Sequence, residues 1–125
     1  MSDLIEVKTN TLAGAALDWA VAQVEGLPAL VYKCDAPYVY IDLPGRGCGP
    51  YLPSHAWCEG GPLIEKYKLD LGAPMETDQL VIWSANTEWG YPLGHKGETP
   101  LIAACRAIVA AKLGDTVQVP KELMP

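Results

Sequence analysis

Apolar and polar positions recur with a helical period in two stretches of the chain. Within 12–25, apolar side chains return every three to four positions on one side, and Asp18 falls on the opposite side. Within 99–114, Thr99 suits a helix N-cap, Pro100 suits the first turn, and the apolar residues form one broad stripe. The pattern predicts two long helices, with Asp18 in solvent on the outer face of the first.

Short segments between and around these helices have the β-branched and aromatic content of strands. They are 4–8, 29–33, 38–43, 79–84 and a last one around 117–119. The second and third are close enough to form a hairpin. We therefore predict an α+β fold in which two long amphipathic helices pack on a small, mostly antiparallel sheet of three to four strands. Without a repeat or an interdomain linker, 1–125 is expected to be a single domain.

Glycine and proline are concentrated in one part of the chain. Residues 34–62 hold ten of the 23 glycines and prolines, a density that prevents long regular elements. We expect a long Pro/Gly-rich loop region there, followed by a short helix over about 62–66. A functional site, if the protein has one, is expected in this region.

The charge balance narrows the class of partner. The net charge is −6, and only two of the nine basic residues are arginines. Nucleic acid is therefore an unfavourable partner, because phosphate binding depends on clustered cations; mimicry of nucleic acid would need the fold to group the acidic side chains. No stretch reads as a membrane span, and the first eight residues lack the pattern of a secretion signal. We expect a cytoplasmic protein with no membrane partner.

The segment from Trp57 to Pro62 is the most informative local motif. Gly60 and Gly61 permit positive φ and close approach to a ligand, and a helix starting at Pro62 would direct free N–H groups at an anion. A ligand site would then use Trp57, Glu59 and the two glycines. The interpretation that we favour is a tight structural corner with Trp57 packed over it.

The same region supplies candidate catalytic and metal-binding side chains. His55 and Glu65 form the best acid/base pair, and Cys58 or Ser54 could be a nucleophile beside His55. Adjacent side chains diverge, so no catalytic residue is assigned. Three thiols and one imidazole could in principle bind zinc: Cys34, Cys48, Cys58 and His55. Only the last two have a ligand-like spacing, so we predict no metal and no cofactor.

Two aromatic residues and one thiol outside this region complete the candidates. Trp89 and Tyr91 occur in a Gly-rich loop, where exposed aromatic side chains could anchor a protein partner. Cys105 lies within the apolar stripe of the second helix and is expected to be an inert core thiol.

Three segments resemble a known family. They are 12–21 (LAGAALDWAV), 53–65 (PSHAWCEGGPLIE) and 99–114 (TPLIAACRAIVAAKLG), the last continued by VQVP. Their order and motifs resemble the NinX-like family of small phage and prophage proteins of unknown function. The resemblance implies a phage-derived domain of α/β layers, and it implies no reaction.

Two hypotheses about function follow. The first is an accessory protein of phage or prophage origin that acts by binding another protein, without catalysis. The alternative is a small enzyme or ligand-binding domain whose site lies at 53–65 and uses His55, Trp57, Glu59 and Glu65.

Overall fold

Three α-helices and eight strands make up the part of the chain that the computed structural model describes, residues 3–43, 47–74, 81–87 and 94–124. The helices are α1 (Gly14–Val24), α2 (Trp57–Lys66) and α3 (Pro100–Leu113). The strands are β1 (Leu4–Lys8), β2 (Leu30–Tyr32), β3 (Tyr38–Leu43), β4 (Gly47–Pro50), β5 (Leu69–Gly72), β6 (Trp83–Thr87), β7 (His95–Gly97) and β8 (Thr116–Pro120). Short 3-10 turns lie at Thr9–Thr11 and Lys121–Leu123.

The described strands form three small antiparallel sheets, β1–β8, β2–β3–β4 and β5–β6–β7. The predicted architecture of two long helices on a single sheet of three to four strands is therefore wrong. The helices have apolar residues on more than one side, and strands of three to six residues are too short to cover them from one sheet. Several small sheets cover them instead, in a mixed α+β arrangement.

Helix α3 lies at the centre of the fold and begins where the sequence predicts. The Thr99 hydroxyl accepts a hydrogen bond from the Ile102 N–H at 3.1 Å, and Pro100 occupies the first turn. The helix contacts α1, α2, β6 and β7. Cys105 is buried in it, as predicted, and burial raises the pKa of its thiol.

Helix α1 lies between other elements, which overturns the prediction for Asp18. Its side chain is 0% exposed, and Ala22 on the same side of the helix is buried too. The helix contacts α3, β8 and β3, and the chain before α2 covers its polar side. Helical periodicity assumes one buried face, and here a second face is buried. Trp19 is half-buried, as expected.

The strand predictions are confirmed for β1, for the β2–β3 hairpin and for β8, whereas β4 forms inside the predicted Pro/Gly-rich loop region. β1 spans the predicted residues, and β2 and β3 form the predicted hairpin with Val31 opposite Val39. Of the strand predicted over 79–84, residues 79–80 lie outside the described part, 81–82 are not in a strand, and β6 begins at Trp83. β5 and β7 are not among the segments predicted to be strands. Their composition is not typical of strands, so their pairing with β6 is what holds them in strand conformation.

Helix α2 replaces the predicted Gly-Gly-Pro corner. Gly60, Gly61 and Pro62 all lie inside it, and the helix starts at Trp57 rather than near Pro62. A Cβ atom on Gly60 would lie 2.2 Å from the Pro53 carbonyl oxygen. The glycine thus allows the helix to pass directly against the preceding chain, and this packing outweighs the poor helix propensity of the segment.

Candidate functional site

Two carboxylates hold the segment of chain that leads into α2. Asp18 Oδ1 accepts a hydrogen bond from the Ser54 N–H at 2.9 Å, and Glu59 Oε1 accepts one from the Leu52 N–H at 2.9 Å. The Ser54 hydroxyl lies 2.8 Å from His55 Nδ1. The structure therefore brings Asp18, Ser54, His55 and Glu59 into one polar cluster.

Burial dominates the electrostatics of this cluster. It raises the pKa of Asp18 from 3.8 to about 6, because the charged form loses its hydration. The Ser54 hydroxyl and N–H and the imidazole of His55 lower that pKa, whereas the charge of Glu59 raises it. Asp18 Oδ2 has no hydrogen-bond partner within the described part of the chain. Asp18 is thus an anchor whose charge disfavours the folded state at neutral pH.

The cluster does not have the geometry of a nucleophilic triad. Ser54 is only 1% exposed, so its hydroxyl is not accessible to a substrate. Asp18 accepts from the Ser54 backbone, whereas in a triad the carboxylate orients the imidazole. His55 is exposed at the protein surface. The contacts fit a structural role, fixing the chain in front of α2.

The remaining predicted residues of 53–65 point in different directions. Trp57, 57% exposed, and Glu59 are two positions apart on α2 and so about 200° apart around its axis. Cys58 and Glu65 are exposed on a further side of the helix. A Cβ atom added to Gly61 would contact the Trp57 ring and no other element. Two of the four residues of the alternative hypothesis, Trp57 and Glu59, therefore face different sides of α2, whereas His55 lies near Glu59 in the polar cluster and Glu65 is exposed.

Asp18 is the residue of this cluster that sequence reasoning missed. Its signal is present in the sequence: a single carboxylate stands between apolar neighbours, Leu17 and Trp19, in an Ala-rich helix. The partner that buries it, Ser54, is remote in the sequence, and periodicity carries no information about such a contact.

The remaining candidates are the predicted metal-binding and partner-binding residues. Among the residues that the structure describes, no group of three or more His, Cys, Asp or Glu side chains could hold a metal ion. Cys34 and Cys58 are exposed free thiols, and the side chain of Cys48 lies outside the described part. Trp89 and Tyr91 also lie outside the described residues.

A second candidate region is an apolar groove of about 630 Å³ between two of the sheets. Leu4 and Pro120, opposite each other at one end of β1–β8, line one side. Residues of β2 and Lys33 line the other, and Trp19 of α1 lines it from the helix layer. Lys33 is the sole charged residue among the described groove residues.

The outer face of the β2–β3 hairpin continues this groove. Leu30 and Tyr32 point to the same face of β2 and lie opposite Tyr40 and Tyr38. The rings of Tyr32 and Tyr38 stack with centroids 5.0 Å apart. Leu4, Leu30 and Tyr32 are 53%, 59% and 51% exposed. We call these three residues with the groove the β2 surface.

Comparison with known proteins places the chain in a family and leaves its activity open. The sequence model of the family described as Bacteriophage P22, NinX matches residues 8–112, which include Asp18, α2 and all but the last residue of α3. A search of curated proteins finds no match. In the described part, no helix has both the length and the apolar character needed to cross a membrane. Since the family match spans well over half of the 125 residues, the chain belongs to the bacteriophage P22 NinX family, as the sequence resemblance predicts.

Proposed function

We propose that this phage protein acts by binding another protein at the β2 surface. The observation that supports this most directly is that Leu4 and Leu30, each more than half exposed, line one apolar groove. Tyr32, also more than half exposed, points to the same face of β2 as Leu30. Apolar surface costs about 25 cal/mol per Å² in water, and grouped apolar side chains of this kind are typical of interaction sites.

The composition of the groove favours binding over catalysis. General acid/base catalysis needs a titratable group within hydrogen-bond reach of the substrate. Of the described residues that line the groove, only Lys33 is ionisable. In the polar cluster around Asp18, the one hydroxyl group, that of Ser54, is buried. An apolar segment of a partner protein fits this lining.

The proposed partner site, the β2 surface, differs from the one that the sequence suggests. The sequence points to Trp89 and Tyr91 as aromatic anchors, and their role stays a prediction. The β2 surface is built from β1, α1, β2 and β8, elements that come together only in the folded chain. It offers aliphatic and aromatic contacts of the kind found at the centres of protein interfaces.

Site-specific crosslinking in phage-producing host cells tests the proposal. A photoreactive amino acid replaces Leu30 in one version and Asp70, exposed on β5, in a matched control. We expect a protein crosslinked at position 30 and not at position 70. The purified partner should then bind the Leu30→Asp variant at least about tenfold more weakly, whereas Asp70→Asn binds normally.

Two results would contradict the proposal. One is a set of crosslinks at position 30 no different from that at position 70. The other is a purified partner whose affinity is unchanged by Leu30→Asp. Because Leu30 is mostly exposed, circular dichroism should show that the variant folds normally.

A further inference from the structure

We infer that the partner is bound as an added β-strand along the edge of β2. This inference rests on the proposed function and specifies how the partner is recognised. It requires three things of the groove: that it follow a strand edge, that this edge be available for pairing, and that the groove accept alternating side chains.

The groove follows the edge of β2 rather than one of its faces. Successive residues of a strand point to opposite faces. Val31 lies opposite the buried Val39, so it points to the core, whereas Leu30 points to the outer face. Both residues nevertheless line the same groove, together with Lys33 further along the chain. A groove that is lined by residues from both faces of a strand must run along the edge of that strand.

That edge has no strand partner among the described residues. The order of the sheet is β2–β3–β4, so β2 pairs with β3 on one side only. Proteins usually protect such edges with charged residues, proline or a bulge. β2 itself, Leu-Val-Tyr, contains neither a charge nor a proline; its protection is limited to its length of three residues and to Lys33, which follows it. An added strand would continue this sheet and satisfy the backbone groups on its open side.

The walls of the groove define the chemistry of the added strand. On the far side it would meet Leu4 and Pro120, and from the helix layer Trp19, so side chains turned that way are apolar. Lys33, the only charge among the described lining residues, favours an acidic residue or a terminal carboxylate at that end. β2 is three residues long, so the added strand would pair with it over about 10 Å, at roughly 3.3 Å per residue.

A separate protein fits this edge better than a second copy of the chain. Each copy carries a net charge of −6, so pairing two copies brings like charges together. A partner segment that is mainly apolar with one acidic residue avoids most of this repulsion and places its charge at Lys33.

The test uses a random library of nine-residue linear peptides, selected on the full chain and counter-selected on Leu30→Asp. We expect enrichment of alternating apolar residues with an acid near one end. In a selected peptide, N-methylation of single backbone amides should weaken binding at least about tenfold at every second position and little in between. In the protein, bound peptide should slow amide exchange within 30–32, and Lys33→Ala should weaken binding several-fold.

The outcomes separate this inference from the proposed function. If binding depends on Leu30 but N-methylation has no two-residue period and amide exchange within 30–32 is unchanged, the strand mode is wrong and protein binding at the β2 surface stands. If the library yields no Leu30-dependent peptide, the strand mode is also overturned. If sedimentation shows a dimer of the chain that Leu30→Asp dissociates, the occupant is a second copy and the inference fails.

Discussion

Helices α2 and α3 differ in how far their local sequences favour a helix. In α3 the local sequence favours a helix: Thr99 caps the N-terminus, Pro100 occupies the first turn, and strong helix formers follow. In α2, Ala56 at the N-cap makes no side-chain hydrogen bond, and two glycines and a proline lie within ten residues. A poor helical sequence can therefore be held in a helix by its contacts.

Those contacts lie mainly on one side of α2. Gly60 packs against the Pro53 carbonyl and the Leu101 side chain of α3, and Leu63 is buried. Asp18 and Glu59 fix the chain that enters the helix through the N–H groups of Ser54 and Leu52. Changes to packing should therefore affect α2 strongly, and changes to local helix signals should affect α3.

The largest effect is expected from Gly60→Ala. The added Cβ would lie 2.2 Å from the Pro53 carbonyl oxygen and 2.8 Å from Leu101 Cδ2, so backbone must move. We expect a loss of about 3 kcal/mol in the free energy of unfolding, measured by urea denaturation.

Gly61→Ala is the matched control for that change. Neither glycine has a positive φ, and a Cβ on Gly61 would meet only the Trp57 ring, at 3.6 Å. This variant should be more stable by about 0.5–1 kcal/mol, because alanine is the better helix former. Equal effects at the two positions would show that packing at Gly60 does not determine α2.

The second effect concerns the anchor in front of α2 and depends on pH. Asp18 has a pKa of about 6 in the folded protein and an ordinary value of 3.8. The folded state therefore binds a proton more readily than the unfolded chain, and this group's contribution to stability is lost as pH rises from about 4 to above 6. The loss amounts to about 3 kcal/mol.

Asp18→Asn tests this by removing the charge while keeping an oxygen that can accept from Ser54. The free energy of unfolding of Asp18→Asn minus that of the unchanged protein should increase by up to about 3 kcal/mol between pH 4 and pH 7. Urea denaturation of both proteins at each pH gives this difference. A difference that does not vary with pH would mean that Asp18 does not titrate in this range.

The smallest effect concerns the caps of the two helices. Thr99→Ala should cost about 1 kcal/mol, because the Ile102 N–H loses its acceptor. Ala56→Ser should have the opposite sign and stabilise by about 0.5 kcal/mol, since it offers α2 a cap that it lacks. Thermal unfolding measures both changes. Comparable losses for both variants would contradict the view that α3 depends on local signals and α2 on packing.

Much of the fold could be predicted where local signals and tertiary packing agree. The bounds of α3, the strand β1 and the β2–β3 hairpin follow from capping residues, proline position and β-branched content. β5 and β7 could not be predicted, because their own residues do not favour strands and their pairing with β6 holds them.

The candidate sites also include residues that the sequence indicates and residues that only the folded structure reveals. The sequence directs attention to 53–65, and the structure does place His55 and Glu59 in one cluster there. The sequence does not reveal Asp18, because the burial of this residue depends on a contact with Ser54. The β2 surface could not be predicted either, because Leu4, Trp19 and Leu30 come from three separate elements.

The family, the acidic charge and the elements with strong local signals could all be identified from the amino-acid sequence. α3 carries its own start signal and a strongly helical composition, so its bounds need no other part of the chain. Tertiary structure decided that α2 is a helix, that Asp18 is buried and that the strands form three sheets rather than one. The physical reason is that these features depend on contacts between distant segments, such as Gly60 with Leu101, whose energies outweigh local propensity.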